Sequence, residues 1–113
     1  MAGRTLHYAD LNAQEVTDLD PAHTIALMAL SPLEVHGPHL PIGTDAMVAE
    51  ELLARLLARL EEQYPDYDRL VLPTLYAGSD TIPALGSFDV DSRALYYLLV
   101  AAGCSLEIGR AHV

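Results

Sequence analysis

The sequence predicts an α/β layer fold. Two short runs, Thr24 to Leu30 and Leu70 to Pro73, are apolar on both alternating sets of positions. Strands covered on both faces, as in a parallel sheet, read this way. Each run opens into a loop rich in Gly and Pro, and each loop leads to a longer helical pattern. Strands alternating with helices define the class.

The elements follow in order. Leu11 to Leu19 predicts a short helix, with Leu11, Val16 and Leu19 on its apolar side and Asp10 as its cap. In the first strand Ile25, Leu27 and Ala29 form one face, and Ala26, Met28 and Leu30 the other. Ser31 to Thr44 contains Pro32, Gly37, Pro38, Pro41 and Gly43, which predicts a shaped loop beyond the strand's carboxyl end. A helix is predicted over Asp45 to Gln63. Val48, Leu52, Leu56 and Leu60 repeat at steps of four, Leu53 and Leu57 widen the stripe, and Glu51 pairs with Arg55. Tyr64, Pro65 and Asp66 end it. The second strand is cut short by Pro73, and Tyr76 to Val90 is again a loop. The last helix is predicted from Asp91 or Ser92 to Gly103, its expected cap.

Composition bounds what the chain does. Its 113 residues allow one domain, and 51% hydrophobic against 19% charged residues is a globular composition. Six Arg, with no Lys, face sixteen acids for a formal net charge of -10. The scattered Arg cannot form a basic patch, which argues against nucleic acid and anionic membrane surfaces as partners. No apolar run reaches the roughly 18 residues of a membrane span. The start lacks a signal peptide's apolar core, so the expected location is cytoplasmic. The single Cys104 allows neither an internal disulfide nor a cysteine-built metal site, and a buried, inert thiol is expected.

The order is that of an opening portion. Two strands covered on both faces need further strands beside them. The tail, Glu107 to Val113, reads as an in-frame translation of a common sequencing-library adapter. The expected division is therefore 1–106, the N-terminal part of one domain, and 107–113, a non-native tail on a fragment. Arg110 and His112 are then without function.

Chemistry concentrates between residues 34 and 45. Glu34 and His36, two apart, point to one side of an extended stretch. They follow a parallel strand's carboxyl end, where open α/β sheets place their crevices. Asp45 arrives at the start of a helix. One imidazole and two carboxylates suit a divalent cation such as Zn²⁺, Mn²⁺ or Fe²⁺. Taken singly, each has an ordinary role: Asp45 as a helix N-terminal acid, Glu34 as a solvated loop acid, His36 and His39 as hydrogen-bonded structural residues.

The segment Glu34-x-His36-Gly37-x-His39-x-Pro41-x-Gly43-x-Asp45 resembles the metal-binding signature of the creatininase (creatinine amidohydrolase) family. The similarity runs from about Leu11 to Leu106, with a weaker echo in Leu70 to Leu75. The resemblance implies a three-layer α/β/α fold with a mainly parallel sheet, of which this is the N-terminal portion. It implies a homo-oligomeric hydrolase cleaving C–N amide bonds of small or cyclic substrates through a metal-activated water at a two-metal centre. Glu34 then ligates one metal, His36 the other, and Asp45 bridges them. His39 is not a direct ligand in that pattern and takes a supporting role, orienting the loop or the ligands.

Two departures bear on that reading. The family's remaining ligands come from a later Asn-Gly-His segment that this sequence does not reach, so the catalytic acid/base is expected outside it. The family's Phe-Pro-Gly-Thr turn corresponds here to Gly78 to Phe88, with Gly86-Ser87 standing for Gly-Thr and an upstream His missing. Creatinine itself is therefore a poor substrate candidate. The competing reading is a non-catalytic binding or assembly module that keeps the loop for folding. Of the other residues, His7 and His23 are expected at the surface and Glu50, Glu51, Glu61 and Glu62 on a solvated helix face. Tyr96 and Tyr97 are expected to pack, Asp89 and Asp91 to act on a helix start, and Ser79 and Ser87 have no adjacent base.

Overall fold

The two apolar runs pair with each other, side by side and parallel. A computed structural model describes residues 2–106. The expected tail, 107–113, lies outside the described residues. In chain order the strands are β1 (Thr5–His7), β2 (Thr24–Leu27), β3 (Leu30–Ser31), β4 (Asp68–Val71) and β5 (Leu75–Tyr76). The helices are α1 (Ala13–Thr17), α2 (Thr44–Gln63) and α3 (Ser92–Ser105). β4 lies between β1 and β2, and β5 beside β3, every ladder parallel. Leu70 sits opposite both Leu6 and Ala26. The predicted α/β class is observed, with mainly parallel strands in small sheets as in part of an α/β/α fold.

The two small sheets are one bent strand pair continued. The Leu72 N–H donates to the Leu27 carbonyl at 2.8 Å, and the Leu75 N–H to the Ala29 carbonyl at 2.9 Å. Between them stands Pro73, which has no N–H to contribute, and the ladder breaks there. The expected continuous strand Thr24 to Leu30 is accordingly split at Met28 and Ala29. Its predicted double covering is also corrected: Ala26, Met28 and Leu30 are exposed, while Ile25 and Leu27 are half-buried.

β1 has no counterpart among the predicted elements. Three residues carry no period that a sequence can show. A buried cation holds it. Arg69, 2% exposed, donates through Nε to Thr5 Oγ1 at 2.9 Å and through its terminal nitrogens to the carbonyls of Tyr67 and Gly3. Beside it Leu70, Val71, Leu19, Ala29, Ala46 and Ala77 form the small buried core.

The helices correct several expectations. The cap of α1 is Asn12, not Asp10: Asn12 Oδ1 accepts the Glu15 N–H at 2.9 Å and Glu15 Oε1 accepts the Asn12 N–H at 3.1 Å. Asp10 instead closes a 3-10 turn, Tyr8–Asp10. α2 turns Ala46, Ala49, Leu53, Leu57 and Leu60 inward, whereas Val48, Leu52 and Leu56 are exposed. Strict steps of four drift across a helix of 3.6 residues per turn; steps of three and four stay on one side.

In α3 the side chain of Asp91 accepts the Arg93 and Ala94 amides, but Gly103 lies inside the helix, whose cap is Leu106. Leu95, Leu99 and Ala102 form its half-buried stripe. Tyr96 and Tyr97, expected to pack, are exposed and meet edge-on at 5.6 Å. Cys104, expected to be buried, is exposed. His7 and His23 are at the surface as expected. Among the described residues no helix is long and apolar enough to cross a membrane.

Candidate metal centre

The site forms where the chain leaves β3 and must return to begin α2. Residues 33–35 run against the 87–88 segment: Leu33 accepts the Phe88 N–H at 2.8 Å, and the Val35 N–H donates to Ser87 Oγ at 3.1 Å. With the backbone of Leu33 and Val35 held to that neighbour, Glu34 and His36, alternating with them, share one side of the stretch. Gly37 then reverses the chain with φ of 81°, in the left-handed region that a Cβ disfavours. The Glu34 N–H reaches the Ile42 carbonyl at 3.3 Å, closing the loop. Thr44 Oγ1 bonds the Pro41 carbonyl at 2.6 Å, and α2 begins with Asp45 in its first turn.

This closure brings Glu34, His36 and Asp45 together. All three are half-buried, and their ligand atoms lie within 4.8 Å of one another. His39 is outside the cluster and exposed, its imidazole 3.3 Å from where a Cβ on Gly37 would stand. Three further contacts were not legible in the sequence. Glu34 Oε2 accepts the Ile82 N–H at 2.9 Å, Ser87 supports Val35, and Asp89 holds Thr81 rather than a helix start. A backbone amide 48 residues away has no residue-type signature.

The imidazole is the informative group. His36 Nδ1 lies 3.0 Å from the Glu34 carbonyl, which can only accept, so Nδ1 carries a proton. In the neutral ring Nε2 is then a lone pair, yet it faces Asp45 Oδ1 at 3.2 Å. Two acceptors face each other there, and a positive species between them resolves the conflict. A proton does so: the bond to the Glu34 carbonyl, with the Asp45 charge, raises His36 above the usual histidine range, against partial desolvation. A divalent cation does so equally. Ligating histidines characteristically donate their other N–H to a carbonyl or carboxylate.

The donor set fits such an ion. In a tetrahedral site with donors about 2.1 Å from the ion, neighbouring donors would be about 3.4 Å apart. Two ions about 3.5–4 Å apart span more. Three ligand atoms within 4.8 Å of one another could therefore hold a metal ion.

The model of the creatininase family, described as creatinine amidohydrolase, matches residues 9–107. The chain belongs to the creatininase family. Hydrolase activity and metal dependence in general come with that membership. Among the described residues of this creatininase-family chain, Glu34, His36 and Asp45 form a group that could hold a metal ion. No curated protein and no solved structure matches the chain significantly.

Proposed function

We propose that Glu34, His36 and Asp45 are this chain's ligands to the divalent metal centre of an amidohydrolase. Its reaction is hydrolysis of a C–N amide bond in a small or cyclic substrate. The observation supporting this reading is the His36 ring, its Nδ1 3.0 Å from the Glu34 carbonyl and its Nε2 3.2 Å from Asp45 Oδ1, in a cluster whose ligand atoms lie within 4.8 Å of one another. Two carboxylates supply negative charge for one or two cations of the Zn²⁺, Mn²⁺ or Fe²⁺ type. With two such ions, Asp45, in the first turn of α2 and facing His36, would be the shared ligand, Glu34 would serve one ion and His36 the other.

Bound divalent cations supply Lewis-acid polarisation of a carbonyl and lower the pKa of water to about 7. The chain's own part is positional. The Glu34 carbonyl fixes the His36 tautomer, the turn at Gly37 fixes its approach to Asp45, and the Ile82 amide fixes Glu34. Three protein donors leave coordination positions for other groups and substrate, so the chain by itself is expected to bind metal weakly and to show no amidase activity.

Calorimetric titration with Zn²⁺ and Mn²⁺ tests the reading. His36→Ala and Asp45→Ala are each expected to lower affinity by tenfold or more, about 1.4 kcal/mol. Amidase activity that survived Asp45→Ala and chelation would refute it. A second reading, a non-catalytic module, draws on the direct contact between His36 and Asp45, which closes the loop when His36 is protonated. Indifference of the chain to metal supports that alternative.

A further inference from the structure

The loop between β5 and α3 touches the candidate centre at one point, the Ile82 amide on Glu34 Oε2, at 2.9 Å. What holds that amide in place is one residue further back. Asp89 Oδ1 accepts both the Thr81 N–H at 3.0 Å and the Thr81 hydroxyl at 3.1 Å. Asp80, just before, adopts the left-handed region at φ of 55°. Asp is among the few residues that tolerate it.

Asp89 is anchored in turn. Its neighbours Phe88 and Ser87 bond Leu33 and Val35, the residues on either side of Glu34. At the base of the loop the Val90 N–H donates to the Gly78 carbonyl at 2.9 Å. The frame that presents Glu34 is therefore the frame that carries Asp89. Asp91, not Asp89, caps α3, so the Asp89 carboxylate has no part in the helix cap.

We propose that Asp89 is a positioning residue for the metal centre, clamping the Thr81–Ile82 turn so that the Ile82 amide sets the orientation of the Glu34 carboxylate. This rests on the metal reading above. A carboxylate has about four lone-pair sites, so one oxygen can accept the amide while the group still faces a cation. Without the clamp, Glu34 gains rotamers that point away from Asp45 and His36, and the ion loses a fixed donor.

The test compares the wild-type chain with Asp89→Ala, Asp89→Asn, Thr81→Val and His36→Ala. Zn²⁺ affinity is read by calorimetry, and ligand geometry by the visible absorption of Co²⁺ at saturation. Asp89→Ala is expected to weaken Zn²⁺ binding about tenfold, the low end for a lost supporting contact to a ligand, and to change the Co²⁺ band shape. A merely structural role lowers the band's amplitude with the folded fraction and leaves its shape alone. Asp89→Asn keeps the accepting oxygen and is expected to restore wild-type affinity and band. Thr81→Val, which loses only the hydroxyl arm, should fall between.

Equal losses in Asp89→Asn and Asp89→Ala would assign the effect to charge and overturn the clamp. Wild-type binding by Asp89→Ala, with binding lost in His36→Ala, overturns the clamp and leaves the metal centre standing. Binding unchanged in His36→Ala overturns the centre and the clamp together. If Asp89→Ala loses its helical dichroism, Asp89→Asn and Thr81→Val decide. Weakened binding in Asp89→Asn, or a wild-type band and affinity in Thr81→Val, overturns the clamp.

Discussion

On the proposed metal reading, a proton and a cation compete for one position on His36, Nε2. Its folded-state pKa is raised above 6.5, so protonation stabilises the metal-free fold. That contribution is complete below the unfolded value of about 6.5 and is lost as pH rises through the raised folded value. Metal binding runs the other way, because a ligating imidazole must be deprotonated. Urea melts of the metal-free chain should therefore show stability falling through that window. Zn²⁺ affinity should climb through the same window, and both trends should vanish in His36→Ala. At Gly37 the left-handed backbone sets a second expectation. Gly37→Ala should cost about 1–2 kcal/mol in a urea melt, with its new Cβ 3.3 Å from the His39 ring. The convergence of Glu34, His36 and Asp45 was legible from side-chain chemistry, spacing and the family signature. The Ile82 amide was not, because a peptide N–H is the same at every residue.

At the scale of elements, polar contacts place what the apolar pattern leaves open. β1 is tied to β4 by Arg69, whose guanidinium serves Thr5, Tyr67 and Gly3 while almost wholly buried. Arg69→Ala removes the donor to the half-buried Gly3 and Tyr67 carbonyls and should cost about 1–3 kcal/mol. The readout that isolates β1 is faster amide exchange at Leu6 and His7, with α2 unaffected. α3 depends on Asp91 at its start. Asp91→Ala should remove about 1 kcal/mol and appear as lower helicity confined to residues 92–105. α2 shows how a period was misread. The step-of-four leucines look like a stripe in the sequence, but helix geometry puts Leu53, Leu57 and Leu60 inside and leaves Leu52 and Leu56 outside. The stop at Pro73 was legible, but β1 and the splitting of the partner run at Met28 and Ala29 lay beyond pattern reading, since three-residue strands show no alternation and a broken ladder shows only against its partner.

Over the whole molecule, apolar surface outruns the core. Leu70 is fully buried, yet Val48, Leu52, Leu56, Tyr96, Leu98 and Val100 are each about half exposed or more. The radius of gyration is 16.5 Å, where a compact domain of this length has about 13 Å. Exposed patches of this kind promote association. The isolated chain should bind anilinonaphthalene sulfonate, sediment as concentration-dependent assemblies and melt broadly. A monomer with a sharp, cooperative melt would contradict this.

The sequence by itself determined the α/β class, the parallel strands and the loop that groups an imidazole with two carboxylates, because the alternation of strand and helix and the side-chain chemistry are written residue by residue. Only the tertiary structure decided which helix faces turn inward, that β1 joins the sheet, and that a second loop grips Glu34. Those choices depend on distances between residues far apart in the chain, and on backbone groups that every residue shares.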